Sequence, residues 1–259
     1  KEYLKRRLRE GRITPLSPAP DFDEQTIDRA TRIVGMMGDE PWLRALDQGA
    51  EVVIAGRSSD CAIFAGIPTR LGVDASIAWH AAKILECGAA AVISRPSPDC
   101  MFATLRGDHF DLEPLDPALR CSPLSVAAHS LYENADPFRL VESSGVLDLT
   151  HATYEALDER RVRVRGSRYE PAARYTVKLE GAELVGYQSI VIGSIRDPYI
   201  IRQIDSWVAR LTERVSGRVA DVLRGDPAAQ SYVFNVRIYG KNGTMVALEA
   251  KDPAQVDRL

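Results

Sequence analysis

The chain has 259 residues, 45% of them hydrophobic and 27% charged, with a formal net charge of −3. That composition belongs to a globular protein and excludes a disordered or fibrous one. It lacks the basic balance of a nucleic-acid footprint, and the short basic opening "KEYLKRRLREGR" reads as a solvated helix face, so no nucleic-acid partner is expected.

No apolar run reaches the ~18 residues of a membrane-crossing helix, so no membrane partner is expected either. The first residue is Lys1 rather than Met and no secretory leader is legible; the chain reads as a piece of a longer protein. Cys61, Cys87, Cys100 and Cys121 form no C-x-x-C pair. A cysteine-based zinc site and a disulfide scaffold are therefore not expected, and buried free thiols are.

In chain order, residues 1–11 predict a helix closed by Gly11, followed by a Pro-rich connection. "ATRIVGMMG" (30–38) predicts a buried strand. Asp39 and Pro41 open a helix that Gly49 closes. "AEVVIAG" is a continuous apolar run of the kind a doubly covered parallel sheet uses. A helix over "DCAIFAGIPTRLG", broken near Pro68, a long helix over 76–89 and a third strand over "AAVISRP" follow. Alternating strands and helices predict an α/β first half, residues 1–100, with a mainly parallel sheet and crossover helices.

Past residue 100 the texture changes. "CMFATLRGDHFDLEPLDP" reads as extended or irregular, and 122–137 as a helix capped by Ser122 with Pro123 in its first turn. "GVLDLTHATYEAL", "RRVRVRGSRYE", "RYTVKLEGAEL" and "YQSIVIGSI" predict strands. Residues 197–225 carry the longest helical pattern, and "SYVFNVRIYG" predicts a final strand. The second half, 101–259, is thus expected to be α+β with an antiparallel β-rich region. Whether the halves are two domains or one is open.

The candidate chemistry begins at "AGRSSD". At the end of a parallel strand, Gly56 permits a tight turn, Arg57 can grip an anion, and Ser58, Ser59 and Asp60 stand at a helix start whose free N–H groups favour negative charge. The alternative is a plain cap with Arg57 in water. Arg196 and Asp197 repeat that logic before Pro198. His129 and Glu133 lie one turn apart with Tyr132 beside them, which suits a general base and its orienter. His80, Lys83 and Cys87 share a helix face, and Lys178 and Glu180 share a strand face. Asp108, His109, Asp111 and Glu113 make an oxygen-rich cluster, but no metal is assigned to it. No Gly-rich dinucleotide fingerprint, phosphate loop or serine-hydrolase elbow is legible, so the cofactor is left unknown.

Three passages, "ALDQGAEVVIAGRSSDCAIFAGIP…AWHAAKILECGA", "LSVAAHSLYENADPFRLVESSGVLDLTHATYE" and "RVRVRGSRYEPAARYTVKLEGAELVGYQSIVIGSIRDP", resemble the acyclic terpene utilisation (AtuA-like) family. The resemblance implies a cytoplasmic catabolic protein linked to citronellol- or geraniol-type terpenes and to acyl-CoA enzymes, in which this chain is the middle of a longer member. It supplies no agreed catalytic residues.

Two functions are open. One is an enzyme acting on a branched or terpenoid carboxylic acid or its CoA thioester by hydration, dehydration or similar proton abstraction. Gly56, Arg57, Ser58, Ser59, Asp60 and Arg196 would bind the ligand, and His129, Glu133 and Lys178 would move the proton. The other is a non-catalytic binding or assembly subunit. A homo-oligomer fits both.

Overall fold

The computed structural model describes residues 1–16, 22–93, 100–226 and 232–241, and it divides into two compact units, Lys1–Gly186 and Tyr187–Leu259.

The first unit opens with α1 (Glu2–Arg9), α2 (Glu24–Arg29), β1 (Ala30–Met36), α3 (Glu40–Asp47), α4 (Asp60–Arg70) and α5 (Ala75–Leu85). β2 (Met101–Leu105) and β3 (His109–Pro114) form a hairpin where sequence texture suggested extended or irregular chain. After α6 (Pro123–Ala128) come β4 (Arg139–Val141), β5 (Gly145–Asp148), β6 (Thr153–Ala156), β7 (Val162–Arg165), β8 (Arg168–Pro171) and β9 (Lys178–Glu183).

These strands build three sheets, ordered β1-β9, β2-β3-β7-β6 and β4-β5-β8, and every ladder in them is antiparallel. The architecture is mixed α and β, and the parallel sheet expected of the first half is corrected. β1 does form where expected, but it is not the buried strand predicted: of its residues Ala30 is buried and the rest are half-buried or exposed, and its partner is β9 in antiparallel register. "VVIA" forms no ladder: Val52 and Ile54 are 79% and 94% exposed. Its neighbourhood makes one isolated parallel bridge, Met37 with Ser58. Where the strand "AAVISRP" was expected, the chain makes a 3₁₀ turn, Gly88–Ala91, and one antiparallel bridge from Val92 to Cys121; residues 94–96 of that predicted strand lie outside the described residues. A short apolar run has no periodicity of its own, so it fits a lone extended segment as readily as a sheet strand.

α5 organises the unit. Every residue from Ile77 to Ile84 is buried, because the helix is clasped from two sides. Ile77, Ala81 and Ile84, spaced three and four apart, join Phe110, Leu112, Val126, Val162 and Val164 in one core with the four-stranded sheet. Trp79 and Ala82, on the other side, meet Cys61, Ala65, Leu140 and Leu147 in a second. Trp79 also stacks on Tyr169, ring centres 5.5 Å apart. Just past α5, Gly88 is needed for space: a Cβ there would come within 2.6 Å of the Met101 side chain.

α4 runs on through Pro68 to Arg70 instead of breaking there, and the Thr69 hydroxyl donates to the Ala65 and Gly66 carbonyls at 2.9 Å. α6 ends early, with a 3₁₀ turn at His129–Leu131, and Glu133 then turns into the left-handed region at φ 54°.

The second unit holds α7 (Pro198–Arg202) and the long α8 (Ile204–Val222). The predicted strands "QSIVIGSI" and "YVFNVRIYG" are without ladders among the described residues. No helix among the described residues is long and apolar enough to cross a membrane.

Candidate functional site

Four chain segments of the first unit converge on a polar seam. They are the start of α4, the C-terminal end of α5, the turn after α6 and the β4–β5 turn. Ser59 caps α4 by position and is buried; its hydroxyl donates to Glu142 Oε2 at 2.8 Å. Glu142 stands in the tight turn between β4 and β5, where the chain must reverse within a few residues. Cys61, in the first turn of α4, donates its thiol to Glu86 Oε2 at 3.0 Å, and Glu142 lies near enough to act on it. Lys83, 8% exposed, pairs with Glu86 one turn along the helix through Oε1.

The electrostatics follow from this burial. Burial raises the Glu142 carboxyl above its usual range, against the hydrogen bond from Ser59 and the neighbouring Cys61 thiol. Burial also raises the Cys61 thiol, and the Glu142 and Glu86 carboxyls add to the rise, so the thiol stays protonated. Burial works to lower Lys83, but the hydrogen bond to Glu86 and the surrounding carboxylates outweigh it and leave the ammonium more firmly protonated.

His129 closes one end of the seam. It is 2% exposed, and its Nε2 lies 3.2 Å from the Cys87 carbonyl. A carbonyl only accepts, so Nε2 carries the hydrogen and Nδ1 holds a bare lone pair. That buried Nδ1 has no hydrogen-bond partner among the described residues. Burial, only partly opposed by the Cys87 carbonyl, depresses the imidazole. Outside it, the neighbouring Cys87 first and then Glu133 push the Tyr132 phenol up to about 12.

The other sequence candidates lie elsewhere. The Arg57 guanidinium grips Glu180 with Nε at 2.9 Å and Nη2 at 3.3 Å; Lys178 reaches the same carboxylate at 3.0 Å, and Asp60 stands 3.8 Å from Arg57. This cluster is half-exposed, with Glu133 near enough to act on Arg57. Ser58 is buried and donates to the Met37 carbonyl at 3.3 Å. Gly56 has open space where a Cβ would stand. His129 and Glu133 make no hydrogen bond or ion pair with each other; the chain enters the left-handed region at Glu133, whose carboxylate is near enough to act on Tyr132 and Arg57. Arg196 is exposed in the second unit, where Asp197 caps α7 through the Tyr199 and Ile200 N–H groups.

His80 leaves the face it was expected to share with Cys87. Its Nδ1 meets the Ser167 hydroxyl at 2.6 Å, and burial pushes it down to about 3. The acidic run of β3 is that strand's outer face: Asp111 takes Arg163 from β7 at 2.7 and 2.9 Å, and Asp108 takes His109. Among the described residues no group of three or more His, Cys, Asp or Glu is arranged to hold a metal ion.

With that geometry in view, comparison with known families is decisive on kinship. The model of the acyclic terpene utilisation family protein AtuA matches residues 7–92 and 119–245, which is most of the chain. The chain belongs to the acyclic terpene utilisation family. Both matched segments run through the seam: the first carries Ser59, Cys61, Lys83 and Glu86, the second His129 and Glu142. Membership in the AtuA family points to a role in acyclic terpene utilisation. Searches among curated proteins and among solved structures gave no match.

Sequence reasoning named Ser59 and His129 and weighed Lys83, but did not single out Cys61, Glu86 and Glu142, which the fold brings to the seam. The signal was present. Glu86 follows a helix that is otherwise almost wholly apolar, and Glu142 sits between the short strand "RLV" and the turn "SSG". Carboxylates at such buried positions are rare unless partnered or functional.

Proposed function

We propose that this AtuA-family chain is an acid–base enzyme, or the subunit carrying its acid–base site, for a branched or terpenoid carboxylic acid or the CoA thioester of one. The observation that carries this reading is the seam: two carboxyl groups, Glu86 and Glu142, both act on the Cys61 thiol yet stand in unlike surroundings, one ion-paired to Lys83 and the other raised by burial. Paired titratable groups whose environments differ are the equipment for giving a proton to one atom of a substrate and taking it from another. Hydration, dehydration or a related proton abstraction needs that pair. The His129 Nδ1 lone pair adds a further acceptor at the seam's end.

Arg57, with Lys178 beside it, supplies the anchor for a carboxylate or a phosphate of CoA. In the ligand-free chain Glu180 occupies that guanidinium, so an incoming anion displaces it. The same contact supports the rival reading, a binding or assembly subunit in which Arg57 and Glu180 are a structural pair and the seam is internal.

A thermal-shift panel of branched acids, terpenoid acids, their CoA thioesters and CoA alone separates the two. The enzyme reading expects a concentration-dependent rise in Tm with an acid or thioester, lost in Arg57→Ala. No shift with any of them favours the assembly subunit.

A further inference from the structure

We infer that Ser167 is an acyl-accepting nucleophile with His80 as its base, and that the cavity it lines takes the acyl end of a small thioester or activated ester. The cavity lies in the first unit, apart from the seam, between the first turn of α5, the β2–β3 turn and the stretch that leaves β7 for β8. It holds about 210 Å³, several times the ~30 Å³ share of one water.

Ser167 Oγ stands 2.6 Å from Nδ1 of His80, within the reach that a nucleophile and its base require. His80 is buried, and its ring is set nearly perpendicular to those of Phe110 and Tyr154, centroids 5.2 and 6.0 Å away, so packing holds the imidazole where Nδ1 meets the serine. Gly166, at φ 85°, turns the chain where a side chain does not fit: a Cβ there would overlap the His151 carbonyl oxygen. That turn presents Ser167 from a fixed backbone between two strands, so no strand-to-helix elbow and no G-x-S-x-G motif mark it.

The rest of the lining suits an acyl group. Ile77, Phe110 and Val164 supply an apolar wall. Arg165 lines the same cavity, and its guanidinium makes no hydrogen bond or ion pair among the described residues, which leaves it available to an oxygen on which negative charge develops. Asp108, near enough to feel Arg165, is already engaged by His109, and Asp74 by the Ser76 N–H. Burial keeps His80 neutral, the form that accepts a proton, and leaves it a weak base. A weak base serves a substrate with a good leaving group, which favours a thioester or activated ester over an amide.

The reaction balances with water as its co-reactant. Oγ bonds to the acyl carbon as its hydrogen passes to Nδ1; the bond from the acyl carbon to the leaving sulfur or oxygen breaks, and the imidazolium protonates the departing group. Water then attacks the acyl-serine and gives one hydrogen to Nδ1, which returns it to Oγ as the acyl–Oγ bond breaks. The products are a carboxylic acid and a thiol or alcohol.

Treatment of the full chain with an alkyl fluorophosphonate, followed by peptide mass spectrometry, tests the nucleophile. One adduct on Ser167 is expected, absent in Ser167→Ala. Release of nitrophenol from p-nitrophenyl butyrate, or of thiol from butyryl-CoA, is expected to fall at least about 100-fold in Ser167→Ala and in His80→Gln. Labelling of the wild type needs no variant, so it still answers if His80→Gln does not fold. An unlabelled Ser167 in the wild type, or turnover unchanged in Ser167→Ala, overturns the proposal. Neither readout involves Glu142 or Arg57, so this failure is distinct from failure of the acid–base reading.

Discussion

The seam and the Arg57 cluster contain nearly the same chemistry in two different media. In each, a cation sits among carboxylates: Lys83 with Glu86 and Glu142 inside, Arg57 and Lys178 with Glu180 outside. Inside, little water screens the charges, and geometry must satisfy every group. Outside, solvent screens the pair and exchanges freely with it. The contrast teaches which groups are tuned and which are free to receive a ligand. The inner cluster sets proton affinities; in the proposed reading the outer one is where an incoming anion would replace Glu180.

The sharpest break is Lys83→Ala, which leaves Glu86 buried without its cation. Loss of one partner of a buried pair costs about 3–5 kcal/mol, read by urea unfolding. Lys83→Met with Glu86→Leu removes both charges and is expected to recover most of that loss, since an apolar pair of similar volume is often neutral in a core.

Glu142→Gln follows in size and appears as a pH dependence. The folded carboxyl titrates above its ordinary value of 4.5, so its stabilising contribution is full below that value and lost as pH rises through the folded pKa. Wild-type stability should therefore fall relative to Glu142→Gln as pH rises through that window, with a slope approaching about 1.4 kcal/mol per pH unit. Unfolding curves from acid to neutral pH check the sign.

Breaking the outer pair should matter far less to folding. Arg57→Ala is expected to cost at most about 1 kcal/mol, as exposed ion pairs do, while abolishing the ligand-induced rise in Tm. Gly56→Ala is the smallest: its Cβ enters open space, so both stability and ligand shift should stay within about 0.5 kcal/mol of wild type.

The part of the molecule legible in sequence was the part with local signals. β1, α3 and the strands within the first three of the four predicted β-rich runs lie near their expected places because capping residues, Pro, Gly and alternation act within a few residues. Sheet direction was not legible: β1 pairs with β9 some 150 residues away, an encounter that no local pattern in "RIVGMM" encodes. The stretch 101–114 read only as extended or irregular, not as a paired hairpin, because its turn, "RGDH", sits among charges, although Phe110, Leu112 and Pro114 alternate inward. For the site, loop-end residues such as Arg57 were conspicuous. Glu142 and Cys61 gain their meaning only when α4 packs under the β4–β5 turn, a tertiary contact invisible from spacing.

The most direct test of the account is hydrogen–deuterium exchange at the acidic C–H of whichever branched acid or thioester the Tm panel identifies, followed by NMR for wild type, Glu142→Gln and Arg57→Ala. The account predicts that wild type exchanges that hydrogen, that Glu142→Gln binds the ligand but loses at least about tenfold in exchange rate, and that Arg57→Ala loses binding. Exchange at the wild-type rate in Glu142→Gln would contradict it and move the acid–base site away from the seam.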